Sequence, residues 1–372
     1  MTDSVDYRYV CGPLSTPVVP FRRSVSRLPG LSAFLVGASL GALIALSPAW
    51  GATIHPVNSV AGWDFVVLSA RWSSLGQVAP DGQLQLRPLP APQRAAAVLA
   101  GRLVVFSDHG ACEITPAGEP RALRSFAASV RAAAPAGPRL ALLLGGRWQS
   151  GHLHGASVAL WTPPDGPLVP APQVDPAWDP CFLRPAPDAT RLLVGVRKPT
   201  HFDPVVRLRP FLYRCAPDAL VALWKGTSFA RAFEDVVLVD VAPEPGAEAC
   251  VLEGAADGRK RVTVYTWTGT RMVAVAVGPP GLLGHTLQPV GRDALGVFRR
   301  QGGGWRLSVL RPGNQCDAAG VHNLQEVAVG PVLPAAPTAW TTVCAQGRTW
   351  LIAAGPPDAA GRPGLTATRI LP

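Results

Sequence analysis

The 372-residue sequence predicts an all-β fold. Glycine occupies 38 positions and proline 40, a density that favours many turns and disfavours long helices. Short apolar runs alternate with turn signals along most of the chain. In the run from Arg261 to Trp267, residues with apolar side chains recur at alternate positions, which is typical of a half-buried strand. Only Phe126–Ala134, a run rich in alanine, is compatible with a short helix.

The clearest succession of strands lies between residues 207 and 278. The apolar runs Pro210–Cys215 and Leu220–Trp224 are separated by an Ala-Pro-Asp turn, so they predict a hairpin. Two further apolar runs follow, Val236–Val241 and Ala249–Leu252, each bounded by turn residues. No segment of this stretch has a helical period.

Units of the same kind recur elsewhere, for example around Ser157–Trp161 and Trp305–Leu310. Strand-rich units of roughly 45 residues fit the four-stranded blades of a propeller. The sequence therefore predicts a single β-propeller of about six or seven blades. An irregular pair of β-sandwiches is the alternative, and the Pro-rich stretch Val327–Pro337 is expected to be a linker. We expect a final strand to pair with an early one near Trp63, because this would close the ring and remove free sheet edges.

Residues 207–278 resemble the FG-GAP or VCBS repeats of integrin-like β-propellers. In those repeats an acidic loop that binds calcium leads into an apolar strand. Here Asp240, Glu244 and Glu248 stand at acidic positions of that loop, and Ala242 replaces one ligand. The resemblance implies a propeller blade with a degenerate calcium loop formed by these three residues, and no other cofactor. A solvated acidic loop is the alternative interpretation, since calcium takes six to eight oxygen ligands.

Residues 1–51 have the layout of a secretory signal. Several arginines precede the uncharged apolar run Leu31–Leu46, and a proline and small residues follow before Ala52. We therefore expect cleavage before Ala52, a propeller domain over residues 52–372, and a periplasmic or extracellular location. The alternative is a retained inner-membrane anchor that holds the propeller outside the cytoplasm. Contact with a membrane is expected only through this N-terminal segment.

The formal net charge of +10 raises the question of an anionic partner. The basic residues are mostly dispersed, apart from short groups such as Arg259-Lys260-Arg261, and no basic run is interleaved with aromatic residues. The sequence also lacks a phosphate-binding glycine motif followed by a helix. We therefore predict a generally basic surface and no binding of nucleic acid.

Six cysteines follow the leader, an even number that permits up to three disulfides in an exported protein. We expect at least one bridge, with buried free thiols as the alternative. No Cys-x-x-Cys pattern predicts a zinc or haem site. The cysteines are Cys112, Cys181, Cys215, Cys250, Cys316 and Cys344.

Candidate ligand-binding side chains fall into two groups. His152 and His154 would share one face of a strand and could hold a metal, although a third ligand is missing and a solvent loop is the alternative. Trp161, Trp224 and Trp267 recur near strand ends, where they could stack on sugars or, as we favour, pack between blades.

No set of residues predicts a catalytic centre. The sequence favours an exported β-propeller that acts as a binding or interaction module for a protein or glycan ligand, because a propeller presents loops on both faces of a rigid ring. A hydrolase or lyase acting on glycans is the first alternative, since acidic residues cluster between residues 234 and 257. A membrane-tethered accessory subunit is the second alternative.

Overall fold

The computed structural model describes residues 52–371 except residues 61, 70, 151, 201–203, 227–228, 230, 242–245, 255–258, 280–285, 292 and 358–361. Within these residues the chain forms 27 β-strands and one turn of 3-10 helix, Pro176–Trp178. The strands make seven blades in chain order. The predicted all-β propeller is therefore confirmed, and its blade number lies at the upper end of the expectation.

The blades take their strands consecutively from the sequence. Blade 1 contains β1 (Thr53–Val60), β2 (Trp63–Leu68), β3 (Ser73–Val78) and β4 (Leu84–Pro88). Blade 2 contains β5 (Ala95–Leu99), β6 (Arg102–Phe106), β7 (Gly110–Ile114) and β8 (Pro120–Ser125). Blade 3 contains β9 (Val130–Ala136), β10 (Arg139–Gln149), β11 (His152–Trp161) and β12 (Leu168–Pro170). Blade 4 contains β13 (Pro180–Pro185), β14 (Arg191–Lys198), β15 (Arg207–Cys215) and β16 (Leu220–Lys225).

The remaining blades follow the same order. Blade 5 contains β17 (Phe233–Val239), β18 (Glu248–Gly254), β19 (Lys260–Trp267) and β20 (Met272–Val277). Blade 6 contains β21 (Leu287–Val290), β22 (Ala294–Gln301), β23 (Gly304–Cys316) and β24 (His322–Leu333). Blade 7 contains three strands, β25 (Ala339–Ala345), β26 (Arg348–Pro357) and β27 (Pro363–Leu371). Blades 5 and 6 are also joined by a short parallel pairing of β20 with β24.

The first strand of each blade packs beside the first strand of the next, and β25 packs beside β1, so the seven first strands surround a central channel. The ring closes through side-chain packing. Val343 and Ile352 of blade 7 share an apolar cluster with Ile54, Phe65 and Val67 of blade 1. The expected closure by strand pairing near Trp63 is wrong for the described residues, in which blade 7 shares no hydrogen-bonded strand with blade 1.

The apolar runs of the sequence are strands buried on both faces. In β17, Val236 and Leu238 pack with residues of blade 4, whereas Val237 and Val239 pack with residues of blade 6. Because both sides of such a strand are covered, alternation disappears and the run is continuously apolar.

Two local expectations are wrong. Phe126–Ala134, the possible helix, contributes to β9, whose alanines lie against the neighbouring blades. The expected linker, Val327–Pro337, belongs to β24 as far as Leu333, and only residues 334–337 connect blade 6 to blade 7. In both places tertiary packing determines the structure.

The ring has two different faces. Because the strands of a blade alternate in direction, the hairpins between second and third strands lie on the same side as the connections between blades. We call this side the upper face. The hairpins between first and second strands and between third and fourth strands lie on the lower face. No helix in the described part of the chain is long and apolar enough to cross a membrane, and the predicted leader, residues 1–51, lies outside it.

Candidate functional site

The upper face is the basic side of the ring. Five carboxylates among its described residues are each paired with a basic side chain. The pairs are Asp108–Arg94, Asp179–His154, Glu234–Lys260, Asp235–Arg184 and Glu253–Arg261. Exposed cations occur in the hairpins and connections of most blades: Arg71, Arg147, Arg207, Lys225, Arg231, Arg259, Arg300 and Arg362. Asp203, Asp257 and Asp358 lie outside the described residues. Among the described residues, exposed cations outnumber exposed carboxylates on this face.

The lower face has a mixed charge. Several of its turns contain an exposed aspartate, because Asp accepts hydrogen bonds from nearby backbone N–H groups. These exposed aspartates are Asp81, Asp165, Asp188, Asp218, Asp240, Asp293 and Asp317. Exposed arginines accompany them at Arg121, Arg214, Arg271, Arg348 and Arg369. The fold thus sorts charges that are dispersed in the sequence into one basic and one mixed face.

Blades 3 and 4 place a histidine, a carboxylate and an arginine together on the upper face. Asp179, just before β13, adopts a left-handed backbone conformation with φ 46°. Its Oδ2 lies 2.9 Å from Nδ1 of His154, and its Oδ1 accepts a hydrogen bond of 2.9 Å from the Gly155 N–H. Arg147 is the cross-strand partner of His154. We call Arg147, His154 and Asp179 the blade 3 cluster.

The blade 3 cluster borders a shallow cavity of about 370 Å³. Side chains and backbone from both strands of the β10–β11 hairpin line it: Gly146, Arg147, Gln149, His154 and Gly155. The sequence singled out His152 and His154 but not Asp179, which comes from the next blade. Among the described residues, no group of three His, Cys, Asp or Glu side chains is arranged to hold a metal.

Trp178, beside Asp179 in the chain, carries two ammonium groups. The Nζ of Lys198 lies 4.2 Å from the centroid of its ring and that of Lys225 lies 5.0 Å from it. Phe211 contacts the same ring edge-on, with centroids 5.3 Å apart. Such cation–π contacts hold the two lysines at one position on the basic face.

The central channel contains a carboxylate with a structural role. Asp235 accepts hydrogen bonds from the N–H groups of Val236 and Leu287, at 2.9 and 2.8 Å, and lies 3.5 Å from Nη2 of Arg184. It therefore ties blades 4, 5 and 6 together. Burial raises the pKa of Asp235.

His55 is half-buried in β1, the first strand of blade 1. Burial, and to a lesser extent the positive charge of Arg184, lowers the pKa of His55 to about 4.

The predicted calcium loop is the β17–β18 hairpin of the lower face. Asp240 is exposed, whereas Glu248 is buried and accepts a hydrogen bond of 3.0 Å from the Val241 N–H. Glu244 lies outside the described residues. Glu248 is thus at least partly engaged with the backbone of its own loop, and calcium binding stays a prediction.

The tryptophans flagged in the sequence pack between blades. Trp161 is fully buried and contacts Phe106 and Phe126 edge-on. Trp224 and Trp267 are partly buried against the cluster shared by blades 4 and 5. This is the packing role that we favoured over stacking on sugars.

The structure places the six described cysteines as free thiols, so the expected disulfide is not formed. Cys250 is buried, and burial raises its pKa. Burial also raises the pKa of Cys181 and of Cys215 to about 12. Cys316 and Cys344 are exposed.

No protein-family model and no curated protein sequence matches the chain. Among solved structures, a chain of the mitotic checkpoint complex is 12% identical to this chain, with a TM-score of 0.52. The alignment covers 82% of this chain and 88% of the chain in that complex. Inactive virginiamycin B lyase from Staphylococcus aureus with quinupristin has 12% identity, a TM-score of 0.51, and coverage of 88% and 97%. At such identities the likeness establishes the β-propeller fold alone. The resemblance to FG-GAP repeats stays a prediction.

Proposed function

We propose that this propeller is an interaction module that binds an acidic protein partner on its upper face. The observation that carries the proposal is the set of exposed cations on that face, set against the mixed charge of the lower face. A basic patch raises the local concentration of an acidic partner and steers its approach.

The arrangement of the cations favours a protein as the partner. They extend over several blades, for example from Arg147 on blade 3 to Arg300 on blade 6, so a ligand that used them would cover a wide surface. A stable protein interface typically buries about 800 Å² on each partner. Single-stranded nucleic acid would instead favour a groove in which aromatic rings stack on successive bases.

The experiment compares two triple variants with equal change in net charge. Lys225, Arg231 and Arg300 of the upper face are replaced by Gln in one, and Arg214, Arg271 and Arg369 of the lower face in the other. Immobilised poly-L-glutamate is the probe, at low and at high salt. We expect salt-sensitive binding that the upper-face variant loses and the lower-face variant retains.

Equal losses in the two variants, or no binding by the parent protein, would overturn the proposal. A duplex DNA fragment serves as the second probe. Tighter binding to DNA than to poly-L-glutamate, lost only in the upper-face variant, would replace the protein partner by nucleic acid and would contradict the proposal as stated.

The glycan-active enzyme stays an alternative, and two upper-face carboxylates speak against it. Asp235 is bonded to the backbone of two blades. Glu253 is fully buried and accepts hydrogen bonds from the hydroxyls of Thr263 and Tyr265 at 2.8 and 2.6 Å. Neither has the solvent access that a sugar substrate would need.

We also propose that the leader directs export and that the mature propeller is periplasmic or extracellular. The support is the apolar run Leu31–Leu46 with small residues before Ala52. N-terminal sequencing of the exported protein tests this. A start near Ala52 agrees with the proposal, whereas a start before Leu31 would indicate the membrane-tethered accessory subunit.

A further inference from the structure

We propose that the cavity of the blade 3 cluster is a binding site for one small oxyanion, a carboxylate or phosphate group held between Arg147 and His154. This site is distinct from a broad protein interface, and it does not require the acidic protein partner. Its evidence is that Arg147 and His154 line one cavity and that Asp179 holds the His154 ring, rather than the charge of the whole face.

The side chains of Arg147 and His154 are held on the same side of one hairpin. Arg147 on β10 is paired across the strands with His154 on β11. Side chains of directly opposed residues in an antiparallel pair lie on the same face, with Cβ atoms about 5 Å apart. Both residues line the cavity, so one anionic group can reach both.

Glycines set the path of the backbone around this cavity. Gly146 has φ 75° and Gly155 has φ 67°, values that favour glycine. A Cβ atom on Gly146 would also lie 2.9 Å from Cδ1 of Leu153 and 3.0 Å from the carbonyl oxygen of His154. The hairpin therefore needs a residue without a side chain there.

Asp179 determines which nitrogen of His154 is available. A carboxylate oxygen only accepts hydrogen bonds, so Nδ1 of His154 must carry the proton in the 2.9 Å contact. Nε2 is then the ring nitrogen that a ligand can use.

Asp179 is itself fixed. Its second oxygen accepts the Gly155 N–H, and its carbonyl oxygen accepts the Arg197 N–H at 3.3 Å. The imidazole is thus positioned before any ligand arrives. The planar guanidinium of Arg147 matches the lone pairs of an oxyanion, and charge-assisted hydrogen bonds of this kind are stronger than neutral ones.

A purely structural role predicts a different behaviour. In that case the contact between His154 and Asp179 would only join blade 3 to blade 4, and Arg147 would be dispensable. Binding of an oxyanion would then depend on neither Arg147 nor His154. The experiment below separates the two roles.

The test follows the histidine ring signals of the full-length protein by NMR during titration with inorganic phosphate and, separately, with acetate. We expect a saturable shift of the His154 signals at constant pH. Arg147→Gln and His154→Gln should each weaken binding about tenfold. The probe that saturates at the lower concentration identifies the preferred oxyanion.

His322→Gln is the matched control, because Nδ1 of His322 contacts the Gly313 carbonyl oxygen at 2.8 Å and no carboxylate. This variant should bind as the parent does. Asp179→Asn should weaken binding less than His154→Gln does, because the imidazole is kept but the carboxylate no longer fixes its orientation. The absence of a saturable His154 shift with both probes, or an equal loss in the His322 variant, would overturn the proposal.

Discussion

Two blades contain a phenylalanine whose ring lies on a glycine of the adjacent strand. Replacing that glycine by alanine should destabilise the protein to different extents in the two blades. In blade 1 Phe65 pairs with Gly76, and in blade 4 Phe182 pairs with Gly195. A Cβ atom on Gly76 would lie 2.1 Å from Cζ of Phe65, and one on Gly195 would lie 2.2 Å from Cε1 of Phe182. Both alanine variants therefore force the ring to move by more than 1 Å, roughly the shortfall from van der Waals contact.

The difference lies in where the ring can go. Phe65 is fully buried in the cluster that closes the ring between blades 1 and 7, so Gly76→Ala should cost about 1–3 kcal/mol. Phe182 is only half-buried, so its ring can turn aside, and Gly195→Ala should cost less than about 1 kcal/mol. Because the two contacts are nearly equal in length, the comparison isolates the effect of burial.

Urea unfolding followed by tryptophan fluorescence measures both costs as shifts of the midpoint. A double-mutant cycle adds a second check. Phe65→Ala alone should cost about 3–5 kcal/mol, and adding Gly76→Ala to it should cost little more, because the clashing ring is gone. Equal destabilisation by the two glycine variants, or strictly additive effects of Phe65→Ala and Gly76→Ala, would refute the reasoning.

Three further outcomes are expected. Burial raises the folded-state pKa of Asp235, so the parent protein should lose stability as the pH rises through the range above about 4. Asp235→Asn should flatten this pH dependence, which unfolding at several pH values would detect. Glu113 should give the opposite pH dependence of stability, because the hydrogen bond that it accepts from Arg102 lowers its pKa to about 2. The stability that Glu113 contributes at neutral pH should disappear as the pH falls from about 4.5 towards 2. Arg102→Gln should remove most of that loss. Of the six described cysteines, only Cys316 and Cys344 should react rapidly in a thiol titration without reductant, and the other four should react on unfolding; fewer than four slow-reacting thiols would contradict the free-thiol structure.

The strand pattern was sufficient to predict the propeller. Runs such as Val236–Val239 are apolar on both faces because blades cover both sides, and turn signals separate them, although their spacing is irregular. The error at Phe126–Ala134 has a physical origin. Alanine favours helices in isolation, but its small side chain also suits the crowded first strands, and composition alone does not distinguish the two.

The blade 3 cluster could be predicted only in part. His154 was visible because alternate histidines share a strand face, whereas Asp179 lies 25 residues further along the chain and approaches only through the connection to blade 4. The charge asymmetry was also hidden. Its signal in the sequence is that exposed cations occur at the ends of second and fourth strands, as at Arg300 and Lys225, while most exposed aspartates occur in the turns of the lower face.

The closure between blades 7 and 1 has a consequence for how the chain folds. In the described residues each blade's own sheet is formed by a contiguous stretch of sequence, and the first and last blades exchange no strand. Most hydrogen bonds can therefore form locally and in chain order as the polypeptide emerges during synthesis. The contact of blade 7 with blade 1 is the step with the longest separation in sequence, so it completes the molecule last. Until then the apolar side of blade 1 around Ile54 and Val67 stays open to water, which makes this early surface the one that most needs protection in the growing chain.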